Sequence, residues 1–323
     1  MKPIASLSLD LDNKWSYMKT HGDPGWDSYP SYLDLVVPRF LEVLRELDLK
    51  ITVFIVGQDA AQEKNHAALA SITQAGHEVG NHSFHHEPWL HLYTPEEIER
   101  ELSSSEETIE RVTGSRPVGF RGPGYSFSPD VLRVLVSRGY LYDASTFPTF
   151  LGPIARAYYF FKSRLSREQK QERKQLFGKI SEGFRPLKPY SWKTPEGPIL
   201  EIPVTTMPVF RVPMHLSYIL YLAQFSRALA TTYFRFALLM CRLRGISPSL
   251  LLHPLDFLGG DDEPDLSFFP AMKMKGADKT RLVTEVLSIF SSQFRVVPML
   301  EHARDFLGQP APQPASRPQP TTV

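Results

Sequence analysis

Short apolar runs alternate with amphipathic stretches along the first 145 residues. Strands are predicted at Ile4–Leu9, Ile51–Val56, His77–Gly80 and Val118–Phe120. Helices are predicted near 31–48, 59–75, 95–113 and 128–138. The third begins with Thr94-Pro95-Glu96-Glu97, a capping hydroxyl before Pro in the first turn and Glu three positions on. Gly76 and Gly114 stand where helices would stop. Further strands are expected at Leu141–Tyr142, Ile199–Pro203, Ser249–Leu252 and Arg295–Val297. About eight strands with helices between them argue for an α/β fold built on a parallel sheet or barrel. The span 154–244 interrupts that rhythm.

The chain has 323 residues and 36.8 kDa, within reach of one large barrel. Apolar residues make up 42% and charged residues 22%, which excludes wholesale disorder. The Pro-rich tail 309–323 has no apolar pattern and is expected to be disordered. A single cysteine, Cys241, excludes an internal disulfide framework and a cysteine-rich zinc site. Any metal must therefore be held by histidines and carboxylates. Met1-Lys2-Pro3 runs straight into the first strand with no secretion signal visible, so a cytoplasmic address is expected.

Net charge is +1, but it is unevenly spread. Residues 154–244 carry 16 Lys/Arg against 5 Glu, a surplus of +11, while the remainder stands at −10. Such asymmetry suggests a surface that meets an anionic partner, against the plainer reading of a solvated charged loop. The first part of this span holds Tyr158-Tyr159-Phe160-Phe161 before a charged, helical run. The second part, 214–244, is apolar but broken by Arg227 and Arg235, so no uncharged run of about 20 residues is available to cross a bilayer. An amphipathic or buried helix fits it better.

Four segments carry candidate chemistry. Asp10-Leu11-Asp12 ends the first strand, where residues two apart share a side and where barrels place their sites. In Asn81-His82-Ser83-Phe84-His85-His86, two histidines lie four apart, a spacing that lets both reach one ion, and a carboxylate such as Asp12 would complete a three-ligand set. His85 falls between them as a packing or supporting residue. Phe120-Arg121-Gly122-Pro123-Gly124-Tyr125 offers a carboxylate-binding guanidinium and a bend whose N–H groups could meet an oxyanion. Leu250-Leu251-Leu252-His253 is a buried strand that ends in histidine.

Together these segments, over roughly 4–150 and 246–300, resemble the polysaccharide deacetylase, or NodB-homology, family of metal-dependent amidases. The resemblance implies a distorted (β/α) barrel, 1–308, interrupted by a basic, largely helical insertion at 154–244. It implies Asp10 as catalytic base and Asp12, His82 and His86 as ligands of one divalent ion, commonly zinc. It further implies that Arg121 holds Asp10, that Tyr125 or its neighbours supply the oxyanion donor, and that His253 is the acid. The first motif departs from the more frequent Asp-Asp-Gly form and resembles an intracellular-like branch. The segment Tyr142-Asp143-Ala144-Ser145 resembles the fourth motif without its Asp-Trp pair, leaving Asp143 or Asp256 to orient His253.

The chemistry is consistent with that resemblance. An amide is a poor electrophile with a poor leaving group, so its hydrolysis calls for a polarising metal, a base and an acid. The expected function is removal of a formyl or acetyl group from an N-acylated amino sugar. The basic insertion points to a lipid-linked, phosphate-bearing glycan at the cytoplasmic membrane face, or to a lid that binds a substrate phosphate. Nucleic acid is not an expected partner. The alternatives are a soluble hydrolase of small cyclic amides or ureides, and a non-catalytic carbohydrate-binding protein of the same fold. Trp15, Tyr17, Trp26 and Trp89 are expected to line the cleft or to pack in the core.

Overall fold

The computed structural model describes residues 2–154 and 180–309; the Tyr158–Phe161 cluster, the charged run after it and the tail from 310 lie outside them. Nine strands are described: β1 (Ile4–Asp10), β2 (Thr52–Ile55), β3 (Glu78–Asn81), β4 (Gly119–Phe120), β5 (Tyr142–Asp143), β6 (Tyr190–Thr194), β7 (Gly197–Glu201), β8 (Ser249–Leu252) and β9 (Arg295–Val297). They form one sheet in the order β6-β7-β5-β4-β3-β2-β1-β8, with β9 beside β1. Every pairing is parallel except the β6–β7 hairpin. All eight strands predicted from the sequence are present within a residue or two. Strand β6 is new; its half-exposed Tyr-Ser-Trp-Lys-Thr run is too polar to announce itself.

β1 organises the barrel. Along one edge it pairs with β8, and along the other with β9 over Ile4–Ser6 and with β2 over Ser8–Asp10. The gap between β7 and β8 is bridged by the chain that follows β7. There Val204 N–H donates to Thr146 O at 2.9 Å and Thr205 N–H to Ser249 O at 3.0 Å. The sheet thus closes irregularly into a (β/α)-type barrel of the distorted kind that the resemblance implies.

The helices with both ends described are α1 (Lys14–His21), α2 (Leu33–Glu46), α3 (Gly57–Ala60), α4 (His66–Gln74), α5 (Pro95–Thr113), α6 (Pro129–Ser137), α7 (Leu216–Ala223), α8 (Arg227–Leu243), α9 (Gly276–Gln293) and α10 (Met299–Phe306). Thr94 and Glu97 form the predicted reciprocal cap on α5. The single helix expected at 59–75 is broken in two. Asn65 Nδ2 donates to Asp59 O and the His66 ring to Ala60 O, so side chains take carbonyls that a continuous helix would use. The span 154–244 contributes β6 and β7 to the sheet, and α7 and α8 bury one face each in the main core.

Alternation along β1 separates two interiors. Ala5, Leu7 and Leu9 join the large apolar cluster shared with residues of α2, α8 and α9. Ser6 and Ser8 instead meet polar partners, the His302 ring at 2.9 Å and the Arg121 guanidinium at 2.9 Å. A smaller cluster, including Phe54, Tyr142, Leu200, Met299 and Ala303, packs near that second side. Helix α10 is tied to the barrel by its first N–H groups, from Met299 to Thr52 Oγ1 at 2.7 Å and from Leu300 to Glu78 Oε2 at 3.0 Å. Main-chain donors at a helix start are thereby satisfied by the sheet.

Two buried histidines make this frame acid-sensitive. Burial pushes His77 and His302 from 6.5 down to about 4, and His77 Nδ1 accepts from Ile51 N–H, which fixes its neutral form. The unfolded chain binds more protons than the folded one between those values, so stability is full above about pH 6.5 and falls as pH drops toward 4. Thermal denaturation across that window should show this loss, and His302→Asn should make it shallower. An unaltered slope would place the acid sensitivity elsewhere.

Candidate functional site

Four loops at the carboxyl ends of β1, β3, β4 and β8 converge on one cleft, the end at which parallel barrels place chemistry. At its floor lies Arg121, fully buried at 0% exposure. Its Nη1 donates to Asp10 Oδ1 at 2.6 Å and to Ser8 Oγ at 2.9 Å, and its Nε donates to Ala144 O at 2.9 Å. Its guanidinium carbon sits 4.5 Å from the centre of the Phe54 ring. The arginine predicted to hold Asp10 is therefore in contact with it, in the protein interior.

Asp12 faces other partners. Its Oδ1 lies 2.9 Å from His86 Nε2 and 3.3 Å from His82 Nε2, and the candidate ligand atoms of all three residues fall within 4.8 Å of one another. His82 Nδ1 lies 2.6 Å from Arg121 O. A carbonyl only accepts, so Nδ1 carries a proton and Nε2 is the ring nitrogen that faces Asp12. Burial raises the Asp12 carboxyl, but the neighbouring charge and hydrogen bonds of His86 and His82 outweigh it and hold it well below the usual carboxylate range. Two imidazole nitrogens and one carboxylate suit a borderline divalent ion such as zinc, with positions left open for water and substrate. The residues fit the group.

The loops that aim these side chains are strained or pinned. Ser83 and His86 both take positive φ, 60° and 53°. Glu101 on α5 restrains that loop: its Oε2 accepts from Phe84 N–H and His85 N–H at 3.0 Å, and its other oxygen meets the His85 ring. His85 thus supports the loop and is not among the three clustered ligands. The Asp12 loop is held by Tyr32, whose hydroxyl donates to Asp12 O at 2.6 Å, and by Asn13, whose amide donates to Asp59 at 2.7 Å. Burial pushes the Asp59 carboxyl up to about 7.

His253 stands at the end of β8. Its Nδ1 lies 3.1 Å from Ser217 Oγ, and that hydroxyl donates to Asp256 Oδ1 at 2.7 Å. The other Asp256 oxygen accepts the His253 N–H at 2.8 Å. Having given its one proton to the carboxylate, Ser217 can only accept from the ring, so Nδ1–H is fixed and Nε2 is the nitrogen left for chemistry. Asp143 is engaged elsewhere. It accepts from Ser145 Oγ at 2.5 Å and lies beside Glu201, whose carboxyl burial and the Asp143 charge push well above the usual range. Of the two carboxylates considered for orienting His253, Asp256 makes the contact. Ser217, 36 residues upstream on α7, carries no sequence signal for this role.

Tyr125 differs from expectation in one respect. Its main-chain N–H donates to Gly122 O at 2.9 Å, Gly122 N–H donates to Ser145 Oγ at 2.8 Å, and Ser126 N–H donates to Pro123 O at 3.1 Å. The loop is so tight that a Cβ on Gly122 would sit 1.9 Å from Ser126 O. Those three amides stabilise the bend and are not offered to an oxyanion. Tyr125 gives the site its side chain, stacked on Phe147 with ring centres 4.8 Å apart. Phe147 meets His215 at 5.7 Å and His215 meets His253 at 6.0 Å, an aromatic row running from Tyr125 to His253. Burial pushes His215 down to about 3, so it is neutral beside His253. Of the predicted cleft aromatics, Trp15 is core, donating its indole N–H to Asp59 at 2.8 Å, while Tyr17, Trp26 and Trp89 are half-buried.

Residues 24–142 match the family model for polysaccharide deacetylase. The chain is 33% identical over 148 residues to the peptidoglycan deacetylase of Helicobacter pylori, covering 44% of this chain and 49% of that protein. It is 34% identical over 102 residues to the chitooligosaccharide deacetylase of Azorhizobium caulinodans, covering 31% and 47%. A peptidoglycan deacetylase-like protein of Gibberella zeae is 29% identical over 150 residues, covering 45% and 44%. The chain thus spans about half the length of the curated relatives it matches. A crystal structure from Mycobacterium smegmatis, provisionally assigned as a polysaccharide deacetylase, shares the fold with a TM-score of 0.61 at 20% identity, over 99% of this chain and 96% of that one. The segment that matches the polysaccharide deacetylase family model holds His82, His86, Arg121 and Tyr125, while Asp10, Asp12 and His253 lie outside it.

Proposed function

We propose that this chain is a metal-dependent N-deacylase that removes an acetyl or formyl group from an amino sugar. The family match supports carbohydrate deacetylase activity. One observation carries the finer reading: two aspartates only two residues apart are sent to different partners, Asp10 to Arg121 and Asp12 to a pair of histidines. A divalent ion held by Asp12, His82 and His86 would polarise the amide carbonyl and acidify a water. Asp10, oriented by Arg121, takes the proton from the attacking water. His253 delivers a proton from Nε2 to the departing amine, and Ser217 and Asp256 steady the ring as its charge changes.

The substrate is proposed to be a lipid-linked, phosphate-bearing glycan at the cytoplasmic face of a membrane. A groove of about 580 Å³ supports this: Phe150, Phe184 and Val209 give it apolar walls, and Lys188, Arg211 and Arg244 give it positive charge. One Arg211 guanidinium nitrogen is buried without a hydrogen-bond partner among the described residues, a poor state for a cation unless an anion completes it. The main chain of Arg211 accepts from Thr149, two residues from Phe147 in the aromatic row. Mass spectrometry of lipid-linked and free N-acyl amino sugars after incubation with the protein tests the function directly. Loss of an acetyl or formyl mass is expected, and its absence across both sets would reject the reading.

Elemental analysis of the purified protein should find about one divalent ion per chain, lost in His82→Ala and in His86→Ala. Asp10→Asn should keep the ion while turnover falls by ~10²-fold or more. Equal turnover in that variant would remove Asp10 from the chemistry.

For Ser217→Ala we expect slower turnover with the ion retained and an altered alkaline limb of the pH–rate profile, because the ring loses the acceptor that fixes its tautomer. Ser217→Thr, which restores the hydroxyl, should recover most of the rate. A normal profile in Ser217→Ala would show that His253 is oriented without it.

A further inference from the structure

Large apolar side chains are concentrated on the outside of α7 and α8. Phe225, between the two helices, is 73% exposed, and Leu243, at the end of α8, is 72% exposed. Leu229, Phe236 and Leu239 are exposed between them, and Tyr221 joins them from α7. Along α8 the exposed residues Leu229, Phe236, Leu239 and Leu243 fall seven, three and four apart, the spacing of one helical face. The opposite face, with Ala230, Phe234, Ala237, Leu238 and Cys241, is buried in the core. The helix is therefore apolar on two sides, and among the described residues only one of them is covered.

The charges around the uncovered side have one sign. Arg235, Arg242 and Arg244 are exposed and form no ion pair among the described residues, whereas Arg227 is held by Glu285 on α9. From residue 202 to residue 255 the chain contains no acidic residue. A contiguous apolar face marks an interaction surface. Its arginine border indicates what kind. A second copy docked symmetrically on this face would bring the same arginines together. An anionic lipid surface accepts the apolar stripe and the border at once, as for a helix lying in the membrane plane. No helix of the described residues is long and apolar enough to cross a membrane.

We infer that the outer face of α7–α8 is a peripheral docking surface for anionic membrane. The apolar side chains enter the headgroup boundary and Arg235, Arg242 and Arg244 meet lipid phosphates. The same element reaches the cleft: Ser217, which contacts His253, lies four residues before Tyr221 on α7, about 6 Å along the helix axis. A docked protein would thus hold its His253 side near the lipid surface. This deepens the membrane part of the proposed function and rests on none of its chemistry.

The test is sedimentation of the full chain with vesicles of phosphatidylcholine containing about one quarter phosphatidylglycerol, against vesicles of phosphatidylcholine alone. Binding is expected to the anionic vesicles at low salt, to be released by high salt, and to be absent with neutral lipid. Arg235→Gln/Arg242→Gln/Arg244→Gln should weaken it roughly tenfold or more. Leu229→Ser/Leu243→Ser should weaken it comparably, with circular dichroism and thermal denaturation confirming an intact fold. If the serine variant fails to fold, the glutamine variant decides alone. No binding to anionic vesicles, or binding indifferent to the arginine substitutions, overturns the inference. A dimer in sedimentation velocity that the serine variant dissolves, without lipid binding, would also overturn it and assign the face to a second copy. Vesicle binding needs neither ion nor turnover, so its failure leaves deacylation standing, and failure of deacylation leaves it standing in turn.

Discussion

A guanidinium with no access to water must find acceptors and a counter-charge within the protein, and Arg121 finds them on several elements at once. Its side chain binds Ser8 and Asp10 on β1 and the main chain of Ala144 just after β5, and it lies over Phe54 of β2. Its own carbonyl accepts the proton of His82. One residue therefore fixes the proposed base and one proposed ligand in a single rigid frame. Removing one partner of such a buried pair typically costs about 3–5 kcal/mol, because the other charge is left without compensation. Ser8, on the polar side of β1, meets that requirement where an apolar residue could not.

The division of the two aspartates follows from this frame. Both belong to one short segment, but Asp10 is the last residue of β1 while Asp12 lies in the loop beyond it. The loop is turned by Tyr32 and Asn13, so Asp12 meets His82 and His86 rather than the arginine. Across the cleft, His253 is steadied by a serine from α7 and a carboxylate three residues after it. Helix α7 thus serves both sides of its surroundings, one end in the cleft and the other at an exposed apolar face.

Much of this was legible in the chain. The strands showed themselves as short apolar runs, because a parallel barrel buries both faces of its strands. Paired histidines or spaced aspartates say little alone; the candidate ligands stood out because four such segments fall at strand ends in one order. Other features depend on distance in space. Ser217 and Asp256 are separated by 39 residues and meet through a single hydroxyl. The break between α3 and α4 comes from the side chains of Asn65 and His66 reaching back to earlier carbonyls, which helical periodicity does not register. The Gly-Pro-Gly bend was expected to offer N–H groups to an oxyanion, but its own turn takes those of Tyr125 and Ser126, and the Ser145 hydroxyl takes that of Gly122. The span 154–244 looked like an addition to the barrel, yet β6 and β7 within it belong to the sheet.

The central claim is that Arg121 separates a base from a ligand within Asp10-Leu11-Asp12. Anomalous diffraction from crystals of the purified protein, at the absorption edge of the ion it retains, tests this directly. The account predicts one peak bound by an Asp12 carboxylate oxygen and by Nε2 of both His82 and His86, with Asp10 still paired to Arg121. A peak bound by Asp10, or an ion held anywhere but between Asp12 and the two histidines, would contradict it.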